Sequence, residues 1–437
     1  MAKENTDDLC VPKRILERLK QHGISVAINE KGRGLIADRD FEAGTILIRS
    51  VPFSSAVAGK HIQEFCNKCG LKKEVKKCSR CNYVRYCSKD CQVSAWPSHK
   101  KECDYIKSCL DIFTKVLPIN SLLVLRTLEM NEIEKLKQGI QDRELCPELE
   151  MLESHRDKFL ELKLNDAKHT TYEIVTRTYK PFLRDRGYII TDNTVFDVHC
   201  KLAVNANAIQ GDHCETVSSG LFPEQTLLNH SCRPNCLNCF RGLEVLLVAS
   251  RDIICGEELT INYIDIIKPV WERRSQLKEK SHFSCVCQRC VEEELIEEDR
   301  TRWTRLDKIY EEYVNGNSRY LLNLSSTIID LEFKDVQSDI FEVLVLRLTF
   351  EAYIELNEIE KALSHIQQLI EISQKYETIY SHDLSTVFVR QAELMAQLNL
   401  RKEAKQVLEI AKRPIEIIYG KEHSWYIQLL RINDRLI

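Results

Sequence analysis

The sequence predicts an α+β protein in which small curled β-sheets with inserted helices precede an all-α C-terminal domain. Residues 29–47 read as a short strand, a glycine turn, a second strand and a turn at Glu42-Ala43-Gly44. Residues 66–103 concentrate cysteines at metal-ligand spacings, which indicates a small module that folds around metal ions. After Cys290 the apolar residues follow a helical period to the C-terminus.

The composition is that of an ordinary globular protein, and the length of 437 residues allows about two to four domains. Apolar residues make up 43% and charged residues 29%. The net charge of −4, from 62 basic and 66 acidic residues, excludes a globally basic nucleic-acid binder. The segment MAKENTDDLC does not show the basic and apolar pattern of a secretory signal, and the sequence has no run of about 18 apolar residues. We therefore expect no membrane segment and a reducing compartment, in which the 19 cysteines serve mainly as metal ligands.

Eight candidate metal ligands lie between residues 66 and 103, enough for two tetrahedral zinc sites. They are Cys66, Cys69, Cys78, Cys81, Cys87, Cys91, His99 and Cys103. The spacing does not decide which pairs share an ion. A cross-braced arrangement would join Cys66 and Cys69 with Cys87 and Cys91, and would leave the other four ligands for the second ion.

A third zinc site is predicted at a CxCxxC segment far along the chain. Its cysteines are Cys285, Cys287 and Cys290. Structural zinc requires a fourth ligand. Cys232 is the first candidate, and Cys236 and Cys239 compete with it on spacing alone.

Residues 66–103 resemble the MYND zinc finger in all eight ligands and in the Trp96-Pro97 pair. The resemblance implies binding of proline-rich peptides and, in some members, a link to DNA. The segment holds ten Lys or Arg and three Asp or Glu, and thiolate ligation leaves a charge of roughly +4. Two interpretations stay open: an electropositive surface for an acidic partner or nucleic acid, or a solvated lysine face that offsets the thiolate charge.

Three further segments resemble the SET methyltransferase domain. LLNHSCRPN (227–235) and GEELTINYID (256–265) are similar to the two motifs that form a pseudoknot at the active site, and residues 29–47 are similar to its opening strands. A SET domain that is split by a MYND finger and followed by CxCxxC resembles the SMYD (SET and MYND domain) family of protein-lysine methyltransferases.

The resemblance implies six segments along the chain. They are the N-terminal part of the SET domain (20–62), the MYND finger (66–103), a helical insertion (104–198), the SET core with its pseudoknot (199–268), a post-SET zinc site (269–295) and a tetratricopeptide-like helical domain (296–437). In the last segment, Leu356-Asn357 and Ala362 recur as Leu398-Asn399 and Ala404. This recurrence predicts repeated helix–turn–helix units, with a plain helical bundle as the alternative.

The resemblance also implies S-adenosylmethionine (SAM) as a cofactor beside three zinc ions, and a lysine of a histone or another protein as the substrate. The residues that match the family's cofactor contacts are Lys31, Gly32, Arg33, His155, Asn207, Asn229, His230, Tyr263 and Phe283. Tyr263 also matches the catalytic tyrosine, whose hydroxyl would orient the lysine amine. We further expect a monomer, located in the cytoplasm and nucleus, with a role in transcriptional regulation.

Two positions depart from the family pattern. Ala206 stands where a cysteine commonly precedes Asn207, and Ser281 stands where a tyrosine commonly walls the lysine channel. The ring of His282 could fill that wall through a shift of one residue. The alternative function is therefore a SET–MYND interaction scaffold or transcriptional co-regulator with weak or no catalysis.

Overall fold

The computed structural model describes residues 10–112, 119–160, 171–184, 190–211, 216–294, 300–314 and 338–436. Parts of the predicted helical insertion (113–118, 161–170 and 185–189) and of the predicted C-terminal domain (296–299, 315–337 and 437) lie outside these ranges. The fold is α+β, with small sheets in the first two thirds of the chain and helices after them, as the sequence predicts. None of the helices in these ranges is long and apolar enough to cross a membrane.

The strands of the described residues form four small sheets. The strands are β1 (Ile24–Asn29), β2 (Gly32–Ala37), β3 (Ile46–Ser50), β4 (Ser54–Val57), β5 (Lys76–Lys77), β6 (Arg85–Tyr86), β7 (Asn207–Gln210), β8 (Thr216–Leu221), β9 (Asn229–His230), β10 (Cys236–Arg241), β11 (Glu244–Ala249) and β12 (Glu258–Ile261). The sheet orders are β1-β2-β12-β9, β10-β11-β3, β4-β8-β7 and β5-β6, and the last pair belongs to the finger.

The predicted strand–turn–strand at the start of the chain is confirmed. Strands β1 and β2 pair antiparallel with Asn29 opposite Gly32, so that Glu30 and Lys31 form the turn. Gly32 has a φ of +99°, which side chains with a Cβ rarely adopt. The second turn contains Gly44 at φ +81°, where an added Cβ would lie 2.7 Å from the Tyr380 hydroxyl. This glycine allows Tyr380 of the C-terminal region to approach the β10-β11-β3 sheet.

Strand β12 joins distant parts of the chain. It pairs antiparallel with β2 and parallel with β9, where Thr260 lies opposite Asn229 and Ile261 opposite His230. Asn235, only 1% exposed, fixes the segment between β9 and β10 against β12. Its Oδ1 accepts from the backbone N–H of Thr260 at 2.8 Å, and its Nδ2 donates to the Glu258 carbonyl at 2.8 Å. The two segments that sequence analysis assigns to a pseudoknot therefore lie side by side.

The helices of the described residues flank the sheets and build the C-terminal region. They are α1 (Lys13–Gln21), α2 (Lys89–Ile112), α3 (Ile119–Gln138), α4 (Pro147–Glu150), α5 (Arg156–Leu160), α6 (Thr171–Arg184), α7 (Asp192–Asn205), α8 (Val270–Ser281), α9 (Gln288–Glu293), α10 (Arg300–Val314), α11 (Asp339–Glu355), α12 (Ile359–Ser373), α13 (His382–Gln397), α14 (Arg401–Tyr419) and α15 (Ser424–Arg435).

The recurring Leu-Asn and Ala positions mark two helical hairpins, α11–α12 and α13–α14. Asn357 and Asn399 occupy the turns at φ 58° and 60°, a left-handed conformation that asparagine tolerates better than most residues. Ala362 and Ala404 are completely buried one turn into the second helix of each pair. Their small side chains let the helices of each hairpin pack closely, and the helix–turn–helix repeat predicted from the sequence is confirmed.

The C-terminal helices pack against the sheets at two places. Ile266 and Ile267, just after β12, are buried in the apolar core of the helices. Tyr380 and Ile418 pack with the apolar side chains of β10 and β11. These contacts place the C-terminal helices beside the end of the pseudoknot. A cleft lies between the strands of the pseudoknot and these helices.

Candidate active site and metal centres

The eight ligands of the finger converge into two clusters, in each of which the ligand atoms lie within 4.8 Å of one another. One cluster consists of Cys66, Cys69, Cys87 and Cys91, and the other of Cys78, Cys81, His99 and Cys103. Bonds of about 2.3 Å in a tetrahedron place zinc-bound sulfurs roughly 3.8 Å apart. The Sγ atoms of Cys69 and Cys87 are 3.7 Å apart, and those of Cys78 and Cys103 are 3.9 Å apart. Both clusters fit zinc in the cross-braced pairing.

A buried carboxylate orients the single histidine ligand. His99 Nδ1 lies 2.8 Å from Glu102, which leaves Nε2 for the metal, 3.7 Å from Cys81 Sγ. Arg126 donates to both oxygens of Glu102, at 2.8 and 2.9 Å. Burial favours the neutral acid, but Arg126 and His99 hold the pKa of Glu102 at about 2. The carboxylate can therefore fix the tautomer of His99, as second-shell carboxylates do in zinc sites.

The third cluster joins the post-SET segment to the pseudoknot. Its ligands are Cys232, Cys285, Cys287 and Cys290. Cys232 Sγ lies 3.5 Å from Cys290 Sγ and 4.0 Å from Cys285 Sγ, again the separations expected around tetrahedral zinc. The competing Cys236 and Cys239 are buried within strand β10, outside the cluster. The donor set therefore fits a third zinc ion with Cys232 as the fourth ligand.

The nine residues predicted to contact the cofactor line a single cleft of about 1490 Å³. They are Lys31, Gly32, Arg33, His155, Asn207, Asn229, His230, Tyr263 and Phe283. Tyr376, Thr378 and Ser381 of the C-terminal region line the same cleft. Pockets for one small ligand usually measure about 300–1,000 Å³, so this cleft has room for a cofactor together with a segment of a second molecule.

Glu258 connects three of the elements that form the cofactor side of the cleft. Its carboxylate accepts from Asn29 Nδ2 at 2.9 Å, from Asn229 Nδ2 at 2.8 Å and from Lys31 Nζ at 3.3 Å. Burial opposes its charge, but the hydrogen bonds from Asn229 and Asn29 and the charge of Lys31 keep the pKa of Glu258 below its ordinary value. A charged Glu258 thus fixes the β1–β2 turn relative to β9.

Gly32 and Gly34, in strand β2 directly after the turn, each occupy a position that requires glycine for a structural reason. A Cβ at Gly34 would lie 2.7 Å from the Glu258 carboxylate and 3.0 Å from Asn229 Nδ2, so only glycine allows this approach. A Cβ at Gly32 would meet nothing within 4 Å, so that the backbone there faces open space in the cleft wall. Asn229 Nδ2 donates to Glu258 and to the Arg33 carbonyl, so its side-chain oxygen is the group left for a ligand. The open backbone, this oxygen and the aromatic ring of Phe283 suit a ligand with polar and aromatic parts, and SAM fits this set.

Arg33 holds the neighbouring loop in place. Its guanidinium donates to the Met151 carbonyl at 2.5 Å and lies 3.7 Å from Glu153. Asn205 donates to the Glu153 carbonyl at 2.7 Å. These contacts place His155 in the cleft wall. Of the two cations that flank Gly32, Arg33 thus supports the 151–155 loop, whereas Lys31 pairs with Glu258.

Tyr263 follows β12 and is 41% exposed, with its ring at the cleft. Its hydroxyl donates to the Leu228 carbonyl at 2.5 Å, just before the Asn229-His230 pair. Its ring makes an edge contact with Phe283 at 6.4 Å. Although the side chain is partly open to the cleft, desolvation by the surrounding protein raises the pKa of Tyr263 to about 12. At neutral pH the hydroxyl is therefore protonated and can act as a hydrogen-bonding group, but not as a base.

His230 links Tyr263 to the third metal cluster. Its Nδ1 accepts from the backbone N–H of Tyr263 at 3.1 Å, so in the neutral ring the proton lies on Nε2. Nε2 is 3.3 Å from Cys232 Sγ and can donate to it. Burial lowers the pKa of His230 to about 4, in agreement with a neutral ring. The His230 ring therefore connects Cys232, a predicted metal ligand, to the backbone of Tyr263, the predicted catalytic residue.

The ring of His282 lines the cleft beside Ser281, but its ring contacts are not with Tyr263. Ser281 ends helix α8, and His282 follows at a φ of 62°. The His282 ring packs edge-on against His155 at 5.0 Å and Phe159 at 5.7 Å. The rings that contact Tyr263 are instead His230 and Phe283. Ser281 itself lines the cleft and brings no aromatic ring to this position.

Sequence reasoning did not assign roles to Glu258, Asn235 or Asn29. The signals were present, since Glu258 is the second acid of GEEL and Asn235 ends the segment LLNHSCRPN. An acid in a GEE sequence is usually a solvated turn residue. Only the pairing of β12 with both β2 and β9 makes Glu258 face two asparagines.

Comparison with known proteins supports the resemblance. The SET domain family matches residues 32–264. The chain is 30% identical to histone-lysine N-methyltransferase SMYD3 of Mus musculus over 94% of this chain and 96% of that protein. It is 31% identical to histone-lysine N-methyltransferase SMYD3 of Homo sapiens, with the same coverage. It is 24% identical to N-lysine methyltransferase SMYD2 of Homo sapiens over 91% of this chain and 95% of that protein.

The family match spans more than half of the chain, and the relatives align with it almost from end to end. The described residues also contain the parts that sequence analysis predicts, in the predicted order: opening strands, a finger with two metal clusters, a pseudoknot, a third metal cluster and C-terminal helices. The chain belongs to the SMYD family of SET-domain proteins.

Proposed function

We propose that this protein is a SAM-dependent protein-lysine N-methyltransferase that acts on histone or other proteins. One observation carries the proposal: the protonated Tyr263 lies in the same cleft wall as Asn229, His230 and Phe283. Relatives of the chain are named as lysine methyltransferases. The cleft has room for both reactants, and we infer that it holds the cofactor at the Gly32 side.

The residues of the chain would act mainly by positioning. Asn229, Asn207 and the backbone near Gly32 would hold the polar tail of SAM, and Phe283 and His155 its adenine ring. When bound, SAM supplies an electrophilic methyl group on a sulfonium. Tyr263 would then accept a hydrogen bond from the lysine amine, because its own proton is used by the Leu228 carbonyl. Alignment of the amine with the methyl group accounts for most of the catalysis in such a reaction.

A lysine amine must be neutral to attack, and its ordinary pKa is about 10.4. Burial in a dry channel and the positive sulfonium both favour loss of the proton. The rings of Tyr263, Phe283 and His230, whose centroids lie 5.4–6.4 Å apart, provide an apolar wall for this step. We propose transcriptional regulation as the process that the reaction serves.

Ser281 supports a second candidate function, an interaction scaffold with weak turnover. A serine in place of an aromatic ring would leave the lysine channel less enclosed, and water in the channel would stabilise the charged ammonium form of lysine. Val93 and Trp96 on α2 expose apolar surface for a proline-rich partner. In this case the finger would be the main functional surface.

Methyl transfer from radiolabelled SAM to a panel of proteins separates the two functions. The proposed activity predicts SAM binding by calorimetry together with label on lysine. Binding of SAM without label on any protein would support the scaffold. The Ser281→Tyr variant then tests the cause, since recovery of transfer would locate the defect at this position. Lys280→Arg, on the same turn, serves as the control.

A further inference from the structure

Two buried arginines lie between the third metal cluster and the C-terminal helices. The side chains of Arg273 on α8 and Arg289 on α9 are 0% and 1% exposed. Both pair with the carboxylate of Glu293, at 2.7 and 2.6 Å. Charged side chains are almost never fully buried unless they are paired, and the shared Glu293 accounts for the burial of both. The predicted cofactor contacts and metal ligands do not include any of the three.

Both guanidinium groups contact the cluster. Arg273 Nη2 donates to Cys290 Sγ at 3.5 Å, and Arg289 Nη1 donates to the Cys232 carbonyl at 3.0 Å. A zinc ion at this cluster would join Cys232 of the pseudoknot to Cys290, which lies on the same helix as Arg289. Hydrogen bonds around a metal site orient its ligands and are oriented by them. The position of Arg289 therefore depends on the metal.

The Arg289 guanidinium also contacts the C-terminal region. Its central carbon lies 4.4 Å from the centroid of the Tyr376 ring, within the range of a cation–π contact. Tyr376 is three residues beyond the end of α12 and lines the cleft. Its hydroxyl donates to Asp339, the first residue of α11, at 3.2 Å. Arg289 thus joins the third metal cluster to a side chain of the cleft wall.

Tyr376 belongs to a loop that is held at two places. Residues 374–381 connect α12 to α13. Four of them line the cleft: Tyr376, Glu377, Thr378 and Ser381. Near the end of the loop, Tyr380 is buried against the side chains of β10 and β11. The contact of Tyr376 with Arg289 holds the start of the loop, and the contact of Tyr380 with the sheet holds its end.

We propose that the third zinc site positions this loop, and with it the C-terminal wall of the cleft, through Arg289 and Tyr376. The inference rests on the proposed function, since it assigns this wall to the protein substrate. Zinc would hold α9 against the pseudoknot, Arg289 would hold the Tyr376 ring, and Tyr376 would hold the loop. Arg289 and Tyr376 are positioning residues in this scheme. One ion would then support His230 and Phe283 on the cofactor side and the loop on the other.

Zinc affinity tests the connection without turnover. Coupling between two sites acts equally in both directions, so loss of the Tyr376 ring should weaken zinc binding, although Tyr376 is not itself a ligand. The full chain is equilibrated in zinc buffered by a strong chelator. A short pulse of an alkylating reagent, followed by mass spectrometry, reports the occupancy of each cluster from its own cysteines. We expect Tyr376→Leu to lower the zinc affinity of the third cluster about tenfold, the size of a desolvated cation–π contact, with both finger clusters unchanged.

Two further variants separate the ring from other effects of the substitution. Tyr376→Phe keeps the ring and loses the hydrogen bond to Asp339, so its zinc affinity should stay within twofold of the wild type. Tyr353→Leu removes another tyrosine of the C-terminal helices, one that packs against His365, and should also leave the third cluster unchanged. Equal zinc affinity of the third cluster in Tyr376→Leu and the wild type would overturn the proposal.

Hydrogen exchange tests the same connection at the loop. Arg289→Met removes the guanidinium, and the amides of residues 374–381 should then exchange about tenfold faster. Tyr376→Leu leaves the buried Arg289–Glu293 pair in place and should have the same effect, so the test does not depend on one variant. Arg233→Met is the control, since Arg233 is exposed beside Cys232 and pairs with Glu292 at 3.4 Å. Unchanged exchange of the loop in both test variants would contradict the proposal.

Methyl transfer separates this inference from the proposed function. With core histones as the probe, Tyr376→Leu should raise KM at least threefold, with kcat and SAM affinity within twofold of the wild type, and Tyr376→Phe should behave as the wild type. An unchanged KM in Tyr376→Leu would contradict the assignment of this wall to the substrate. Weaker zinc binding in Tyr376→Leu, with no methyl transfer by the wild type, would contradict the proposed function alone. Methyl transfer by the wild type, with equal zinc affinity in both proteins, would contradict the positioning role alone.

Discussion

At the scale of single residues, the cofactor side of the cleft depends on one carboxylate. Glu258 binds Asn29 and Lys31 of the β1–β2 hairpin and Asn229 of β9, two segments that are about 200 residues apart in the chain. Gly34 is required because the carboxylate and Asn229 approach its backbone closely. These contacts set the distance between the glycine turn and the Asn229-His230 pair, and therefore the shape of the predicted SAM pocket.

We predict that Glu258→Gln weakens SAM binding about tenfold, because a hydrogen bond to a charged group contributes about 1.5–3 kcal/mol. The pKa of Glu258 in the folded protein is lowered from its ordinary value of 4.5. The charged carboxylate therefore contributes fully above about pH 4.5, and this contribution is lost only when the pH falls below 4.5 to the lowered pKa of the folded protein. Between pH 6 and pH 8 the difference between wild type and variant should stay constant. Calorimetric titration with SAM at each pH measures the affinity of the wild type and of the variant.

Glu42→Gln is the control, since Glu42 is exposed in the turn before β3. An affinity of Glu258→Gln within twofold of the wild type would mean that the turn is positioned by other contacts.

At the scale of elements, the third metal cluster supports the active-site cleft from behind. His230 connects Cys232 to the backbone of Tyr263, and Phe283 packs against the cluster's cysteines. A buried network of Arg273, Glu293 and Arg289 surrounds the cluster, with Arg273 paired to Glu293 at 2.7 Å. The two finger clusters have no such connection to the cleft within the described residues.

We therefore predict that Cys285→Ser lowers SAM affinity at least tenfold, whereas Cys66→Ser lowers it less than threefold. The first change removes a ligand of the metal that fixes His230 and Phe283, and the second affects a separate module. The measurement is SAM calorimetry on variants whose zinc content and melting curves are known. Equal loss of affinity in two folded variants would show that the finger and the cleft are coupled.

At the scale of the whole molecule, much of the architecture could be predicted from the sequence. Ligand spacing identified three metal clusters, and the Leu-Asn repeat identified two helical hairpins, because both signals depend on local geometry. The cross-braced pairing and Cys232 were the arrangements that sequence analysis put first, and the structure has both, although spacing alone left other choices open. The role of Glu258 was not predicted, because it depends on contacts between strands that are distant along the chain.

The whole chain should bind three zinc ions, held by eleven cysteines and one histidine. Structural zinc supplies folding energy to small modules, so a strong chelator should lower the melting temperature as zinc is lost. Elemental analysis of metal-replete protein checks the number. A result of two ions per chain would mean that one of the three clusters binds no zinc. That cluster would be the third one if Cys232→Ser left the zinc content unchanged.

The central claim is that Tyr263 takes part in lysine methylation, and single-turnover transfer from labelled SAM tests it most directly. In Tyr263→Phe the ring still packs against Phe283 and His230, so SAM affinity should stay within a few-fold of the wild type. Loss of one polar group that acts at the transition state typically lowers the rate by about 10²–10³. We predict a loss of that size. An unchanged rate at unchanged SAM affinity would contradict the account and make Tyr263 a structural residue.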